Sequence, residues 1–244
     1  MMKKYRMIIL MYIVSAPLWA QSGFFDAYDY SRWLGEFSIS GVMIGQDGQA
    51  LLNGNMLDLT AESNQLTREG NWSWAARFEG RKNFWRIAFG GAMMKSMQTN
   101  INPEQRLVNT LTRADIALGI MPSWDGFYLI AGGRFYDADF ARVEGNKAPE
   151  KNGSQQWIDP FAGLQLDMRL FNWLAFRLYG DAGVFGVGSK VTWNARASLQ
   201  WRMGALALIA GYRYERIDYS ADADLPFFYK AVNQGPGAGL SYSF

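Results

Sequence analysis

The sequence predicts an all-β fold, a transmembrane antiparallel up-and-down β-barrel of about ten strands, and three observations carry that expectation. The closing eleven residues, QGPGAGLSYSF, place Ala238, Leu240, Tyr242 and Phe244 on one face and Gly237, Gly239, Ser241 and Ser243 on the other. Segments of the same period recur along the chain. No window after residue 20 approaches the roughly 18 uninterrupted apolar residues that a spanning helix needs, so a bilayer would be crossed by strands.

At the other end, Lys3, Lys4 and Arg6 precede an apolar run from Met7 to Val14 and a small-residue stretch ending at Ala20. That pattern predicts a signal peptide over residues 1–20, with Ala16 as an alternative cleavage point, and a single barrel domain over residues 21–244. The chain has no cysteine, which excludes disulfides and a lipid-modified cysteine. Three of the 24 Lys and Arg residues lie in the leader and none of the 22 Asp and Glu residues does, leaving 21 against 22. A near-neutral chain offers no basic surface for nucleic acid. Aromatic content of 16% with 26 glycines and a mean hydropathy of −0.14 fits alternating strands better than apolar helices.

The strands are predicted to start near Glu36, Trp72, Arg86, Leu107, Phe127, Trp157, Leu174, Val191, Ala205 and Lys230. The clearest is WIDPFAGLQLDMRL, where Ile158, Pro160, Ala162, Leu164, Leu166 and Met168 oppose Trp157, Asp159, Phe161, Gly163, Gln165, Asp167 and Arg169. In the next segment Leu174, Phe176 and Leu178 oppose Arg177, Tyr179 and Asp181. Val191, Trp193, Ala195, Leu199 and Trp201 then oppose Asn194, Arg196, Gln200 and Arg202, and Tyr212 and Tyr214 oppose Arg213 and Glu215. Short links at 81–83, 122–126, 171–172 and Gly204 alternate with long polar ones at 95–106, 138–155 and 220–229, as periplasmic turns alternate with extracellular loops. Pro103, Pro149 and Pro226 fall in the long links. Residues 45–71 form a long first loop or a lumen segment; two membrane strands there would make the barrel twelve-stranded, and a different early pairing would make it eight.

The inner face carries the only chemistry in view. Arg77, Arg81, Arg86, Arg113, Arg134, Arg169, Arg177, Arg196, Arg202 and Arg213 stand against Glu36, Glu79, Asp115, Asp159, Asp167, Asp181 and Glu215. Two readings follow: ion pairs across neighbouring strands, with Arg177 and Arg196 as partners of Asp159 and Asp181, or a mildly cationic lumen for small anions. Trp72, Trp74, Trp85, Trp173, Trp193, Trp201, Tyr212, Tyr214, Tyr242 and Phe244 are placed in aromatic girdles at the lipid headgroups, making outer-membrane lipid and lipopolysaccharide the expected partners. Asp137, Asp139, Asp218, Asp222 and Asp224 match no metal-loop spacing and are taken as solvated charge, so neither metal nor cofactor is expected. With no histidine and no cysteine, the usual base, nucleophile and zinc chemistries are absent, and the chain is not expected to be an enzyme.

The phrases WIDPFAGLQL, RLYGDAGVFGVGSKVTWNA, GYRYERIDY and QGPGAGLSYSF resemble a broad family of uncharacterised, porin-like Gram-negative outer-membrane β-barrel proteins. The resemblance covers Trp157 to Phe244 and rests on Asp159, Pro160, Gly180, Asp181, Gly186, Gly188, Gly211, Arg213, Tyr214, Gly235, Pro236 and Gly239. It implies location in the outer membrane and, for Leu240, Tyr242 and Phe244, a signal read by the barrel-assembly machinery. It brings no substrate. Three functions are therefore carried forward: an envelope-structural barrel with a charge-paired interior, a narrow channel for small solutes, and a loop-mediated adhesin or receptor.

Overall fold

In hydrocarbon an unpaired strand edge exposes backbone groups that water cannot satisfy, and only a sheet closed on itself removes both edges. The computed structural model shows such a sheet. It describes residues 33–52, 54–60, 72–99, 105–122, 126–144, 150–183, 186–221 and 227–244. The expected signal peptide at 1–20, together with Pro103, Pro149, Asp222, Asp224 and Pro226, lies outside those residues.

The described residues form twelve strands: β1 Leu34–Val42, β2 Gly45–Leu52, β3 Asn55–Asp58, β4 Trp72–Lys82, β5 Trp85–Thr99, β6 Gln105–Ile120, β7 Phe127–Glu144, β8 Glu150–Phe171, β9 Leu174–Gly183, β10 Val191–Met203, β11 Leu206–Ala221 and β12 Phe227–Ser243. Ten of them close the barrel in the order β1-β4-β5-β6-β7-β8-β9-β10-β11-β12, with β12 returning to β1. The strand starts differ from the expected ones by at most a few residues, except that β8 begins at Glu150 rather than Trp157.

At the seam, Glu36 pairs with Ser243 and Val42 with Gly237. Phe244 extends it: its amide donates to the Gly35 carbonyl at 2.9 Å and its carbonyl accepts from the Gly35 amide at 2.7 Å. The Phe244 ring lies over Gly35, where a Cβ would sit 2.5 Å from a ring carbon, and 6.4 Å from the ring of Phe78. Removing Phe244 deletes both hydrogen bonds and the aromatic clasp. The heat-modifiable folded form on gels should fall substantially, and undiminished assembly would overturn this role.

The outer surface carries the apolar belt. Phe37, Ile39, Phe89, Ile116, Leu118, Ile158, Leu164, Leu178, Leu199, Leu208 and Leu240 are all exposed. Trp33, Phe84, Trp85, Phe171, Trp173, Trp201 and Tyr242 ring the end with the short turns, and Trp72, Trp74, Trp193 and Tyr212 ring the other. A monomer in water does not expose such a band, whereas one in lipid requires it. The short-turn end is accordingly periplasmic and the long-strand end extracellular. β1, with 9 residues, and β9, with 10, are just long enough to cross at a tilt, but β7 has 18 and β8 has 22.

That excess length corrects the reading of 95–106, 138–155 and 220–229 as loops. Polar outward residues such as Asp137, Asp139 and Lys230 hid the alternation, but the inward positions Ala138, Phe140, Phe227 and Tyr229 are buried. The strands continue past the belt and enclose a shared core, β5 to β8 on one side and β11, β12, β2 and β3 on the other. β2 prolongs the line of β1 along the upper half of β12, Gly45 opposite Gln234 and Leu51 opposite Phe228, and β3 folds back on it. Of the long first segment, then, β2 and β3 pair as a hairpin packed into the upper core, and residues 53 and 61–71 lie outside the described residues.

Candidate functional site

The lumen holds the candidate residues in two storeys. Alternation sends every second side chain inward, and at membrane level those side chains are mostly arginines and carboxylates. Arg177 on β9 makes a bidentate contact with Glu36 on β1, at 3.0 and 3.1 Å, and its Nε donates to Asp167 at 2.8 Å. Asp167 also accepts from Arg81 at 3.2 Å, Arg86 at 3.3 Å and Gln165 at 2.8 Å. Glu79 is shared among Arg77, at 2.7 Å, Arg177, at 3.4 Å, and Arg86. Arg77 then reaches Asp115 at 2.9 Å. Above this, Arg113 on β6 crosses to Glu215 on β11 at 2.7 Å, Arg213 holds the same carboxylate at 2.9 Å, and Arg134 pairs with Asp181 at 2.6 Å. Asn194 adds a hydrogen bond to Asp181 at 3.2 Å, and the Arg134 guanidinium lies 4.5 Å over the Phe161 ring.

Pairing across neighbouring strands is only part of this pattern. Asp167 does face Arg177 on the next strand, but Arg177 to Glu36, Arg81 to Asp167 and Arg113 to Glu215 span the lumen, and Arg213 to Glu215 runs along one strand. Alternation reveals which face a residue occupies but not how far an arginine reaches; in a barrel of ten strands the guanidinium arrives at the opposite wall. The expected partners of two carboxylates are also corrected. Asp181 binds Arg134, and Asp159 binds no arginine within ion-pair distance among the described residues. Arg177 goes to Glu36, Glu79 and Asp167 instead.

Asp159 accepts from the Ser189 amide at 2.6 Å and the Ser189 hydroxyl at 2.8 Å, tying the link between β9 and β10 down onto β8. Gly188, at φ +80°, makes that fold-over close: a Cβ there would overlap the Ile158 carbonyl oxygen and the Asp159 carboxylate. The aspartate-proline and glycine-serine phrases of the sequence are thus two halves of one contact. Gly188→Ala should lower the unfolding midpoint in urea by the equivalent of about 2 kcal/mol or more, for left-handed strain plus the lost hydrogen bonds. A midpoint equal to the native one would refute this.

The upper storey is dry. Tyr136, Phe140 and Tyr229 are fully buried, and Trp157 stacks on Tyr219 at 4.4 Å and on Tyr136 at 5.1 Å. Ala50, Leu52, Leu57 and Leu59 from the hairpin complete the cluster with Ile217 and Phe227. Some of its polar groups pair internally: Gln46 donates to the Tyr229 hydroxyl at 3.0 Å and accepts from Ser96 at 2.6 Å. None of these was singled out from the sequence, since Gln46, Ser96 and Tyr229 lie within or beside segments taken for loops. Among the described residues no cluster of three or more acidic side chains could hold a metal.

The remaining candidates line open space. Arg169 and Arg202 face a cavity of about 420 Å³ at the periplasmic mouth. Arg196 lies beside a smaller one of about 140 Å³ at mid-barrel, with its guanidinium 4.1 Å over the Tyr179 ring.

No family model and no curated protein matches the chain. Solved barrels do: the translocator domain of the autotransporter NalP from Neisseria meningitidis (13% identity, 98% of each chain covered, TM-score 0.42) and Neisserial surface protein A (11% identity, 86% and 97% covered, TM-score 0.37). The outer membrane protein OprG from Pseudomonas aeruginosa is similar at 11% identity, with 87% and 95% covered and a TM-score of 0.33. The chain is an outer-membrane-type β-barrel on the evidence of its own closed sheet, apolar belt and girdles.

Proposed function

We propose that this barrel serves the envelope as a sealed, non-conducting structural element whose extracellular head is a rigid β-sandwich. The observation that carries this reading is the fully buried aromatic layer of Tyr136, Phe140 and Tyr229 closing the mouth above a cross-braced lumen. A conducting pore needs a wetted path; an apolar layer with no exposed surface supplies none, and the arginines below are largely neutralised by carboxylates across the lumen. A catalytic role has no support in the lumen, whose carboxylates are engaged as ion-pair or hydrogen-bond partners. The narrow-channel reading is accordingly the weaker one.

Reconstitution into planar bilayers tests the seal. The folded protein should pass no steady single-channel current at moderate voltage in either polarity. Reproducible unitary conductance from protein verified as folded would overturn the proposal in favour of the channel.

A further inference from the structure

The interior is not filled evenly, and the sequence shows why. Long charged side chains crowd the inner faces of β4 to β9, whereas on the opposite wall they are interspersed with small ones: Ser38 and Ser40 on β1, Ser198 on β10, Gly211 on β11, and Gly237 and Ser241 on β12. Space remains against that wall in two cavities, about 420 Å³ at the periplasmic mouth and about 140 Å³ at mid-barrel, and Gln200 lines both. Along the inner face of β10 the order is Arg202, Gln200, Ser198, Arg196, which leads from the mouth to the inner cavity in steps of two residues.

The lining of this space is rich in arginine. The mouth cavity is lined by Arg81, Arg169 and Arg202, and the inner one by five arginines and Glu79; four of those five, Arg77, Arg113, Arg177 and Arg213, are held by carboxylates. Among the inner five, Arg196 makes no ion pair with a carboxylate among the described residues, yet it shares the Tyr179 ring with Arg77, at 4.1 and 5.8 Å. Nε atoms of Arg113, Arg196 and Arg213 are buried without a hydrogen-bond acceptor. Arg196, packed beside other guanidiniums in a low-dielectric interior with an orphaned donor and no carboxylate of its own, calls for an anion, and hydroxyls at Ser40 and Ser198 add donors that tolerate one.

We infer that the inner cavity is a binding site for a small oxyanion of the phosphate or sulfate class, entered from the periplasm through the arginine-lined mouth and closed on the extracellular side. The cavity has room for several waters or one such ion. The two-oxygen edge of a tetrahedral oxyanion suits the forked donors of arginine, which give binding without requiring passage. Occupancy itself does not depend on the extracellular seal; only the one-sided entry does, so the two can fail separately.

Two measurements on the full folded chain decide the matter. First, sodium phosphate or sulfate, exchanged against sodium chloride at constant ionic strength, should raise the thermal midpoint saturably. Arg196→Gln should weaken that half-saturation by about tenfold or more, as loss of one charge-assisted partner does, while Arg216→Gln on the outer face should leave it unchanged. Second, because the chain lacks cysteine, Ser198→Cys supplies a single thiol beside the site. It should react at least about tenfold faster with a sulfonated methanethiosulfonate than with its trimethylammonium counterpart, and phosphate should slow the reaction. In intact cells a bulky impermeant thiol reagent should not reach that cysteine. An ionic-strength effect only, equal in the native protein and Arg196→Gln, would overturn the inference, as would a thiol showing no charge preference.

Discussion

Replacing residues 45–60 with a short Gly-Ser link should unfold the extracellular head while leaving the membrane barrel assembled. The hairpin contributes Ala50, Leu52, Leu57 and Leu59 to the upper core, and the three leucines alone stabilise it by about 2 kcal/mol each on burial. Its removal also strips Gln46 from the Tyr229 hydroxyl and opens the faces of Phe140 and Tyr229 to water. Without it the upper layers keep their own ladders and a few facing aromatic contacts such as Trp157 on Tyr219, and β8 pairs with β9 only from Ala162 downward. The lower half keeps its closed ladder from β1 to β12 and its lattice of ion pairs. Limited trypsin digestion of the variant should therefore cut at exposed Arg142 or Lys230, sites protected in the native protein, while the core fragments remain heat-modifiable. Unaltered digestion would mean that the hairpin is not part of the seal; loss of all heat-modifiability would mean that the two storeys do not fold independently.

Much of this architecture was legible in the sequence, and the part that was not has a physical cause. Strand existence and facing followed from period-two alternation, which is strongest where one side meets lipid: the Ile158 to Met168 series and the Val191 to Trp201 series kept their faces in the structure. Above the belt the outer face meets water, so Asp137, Asp139, Gln156 and Lys230 sit where leucines sit lower down, and the same strands look like loops. The hairpin was ambiguous for another reason. Gln46, Ala50, Leu52 and Leu57 alternate only weakly in a glycine- and asparagine-rich context, and the strand that pairs with Gln46 and Ala50, β12, opposes them with Asn233 and Tyr229 from the far end of the chain. Which side chains face inward was thus accessible, but the partner of each arginine was not, because an arginine that crosses a lumen chooses among all walls at once. Ser189, the partner of Asp159, stood in the quoted hairpin phrase, yet nothing in its spacing pointed to a strand thirty residues earlier.

Neutralising Asp167 should cause one of the largest losses of stability from any single substitution in the barrel. Its two oxygens serve Arg81, Arg86, Arg177 and Gln165 at 2.8 to 3.3 Å, and all four donors come from different positions around the wall. With Glu36 and Glu79 it balances three arginines by three carboxylates; Asp167→Asn leaves one buried positive charge uncompensated. Breaking a buried pair from one side costs about 3 to 5 kcal/mol, because the survivors keep their desolvation penalty and lose their attraction. The midpoint of urea unfolding, read from the heat-modifiable fraction, should fall accordingly. The double variant Asp167→Asn with Arg86→Met restores the local balance, since among the described carboxylates Arg86 contacts Glu79 and Asp167 alone, and it lies against the Tyr128 ring at 5.1 Å. It should recover at least half of the loss. If the single variant unfolds at the native midpoint, the lattice is ornamental to stability, and if the double variant is worse than the single, the cost lies in lost hydrogen bonds rather than in unbalanced charge.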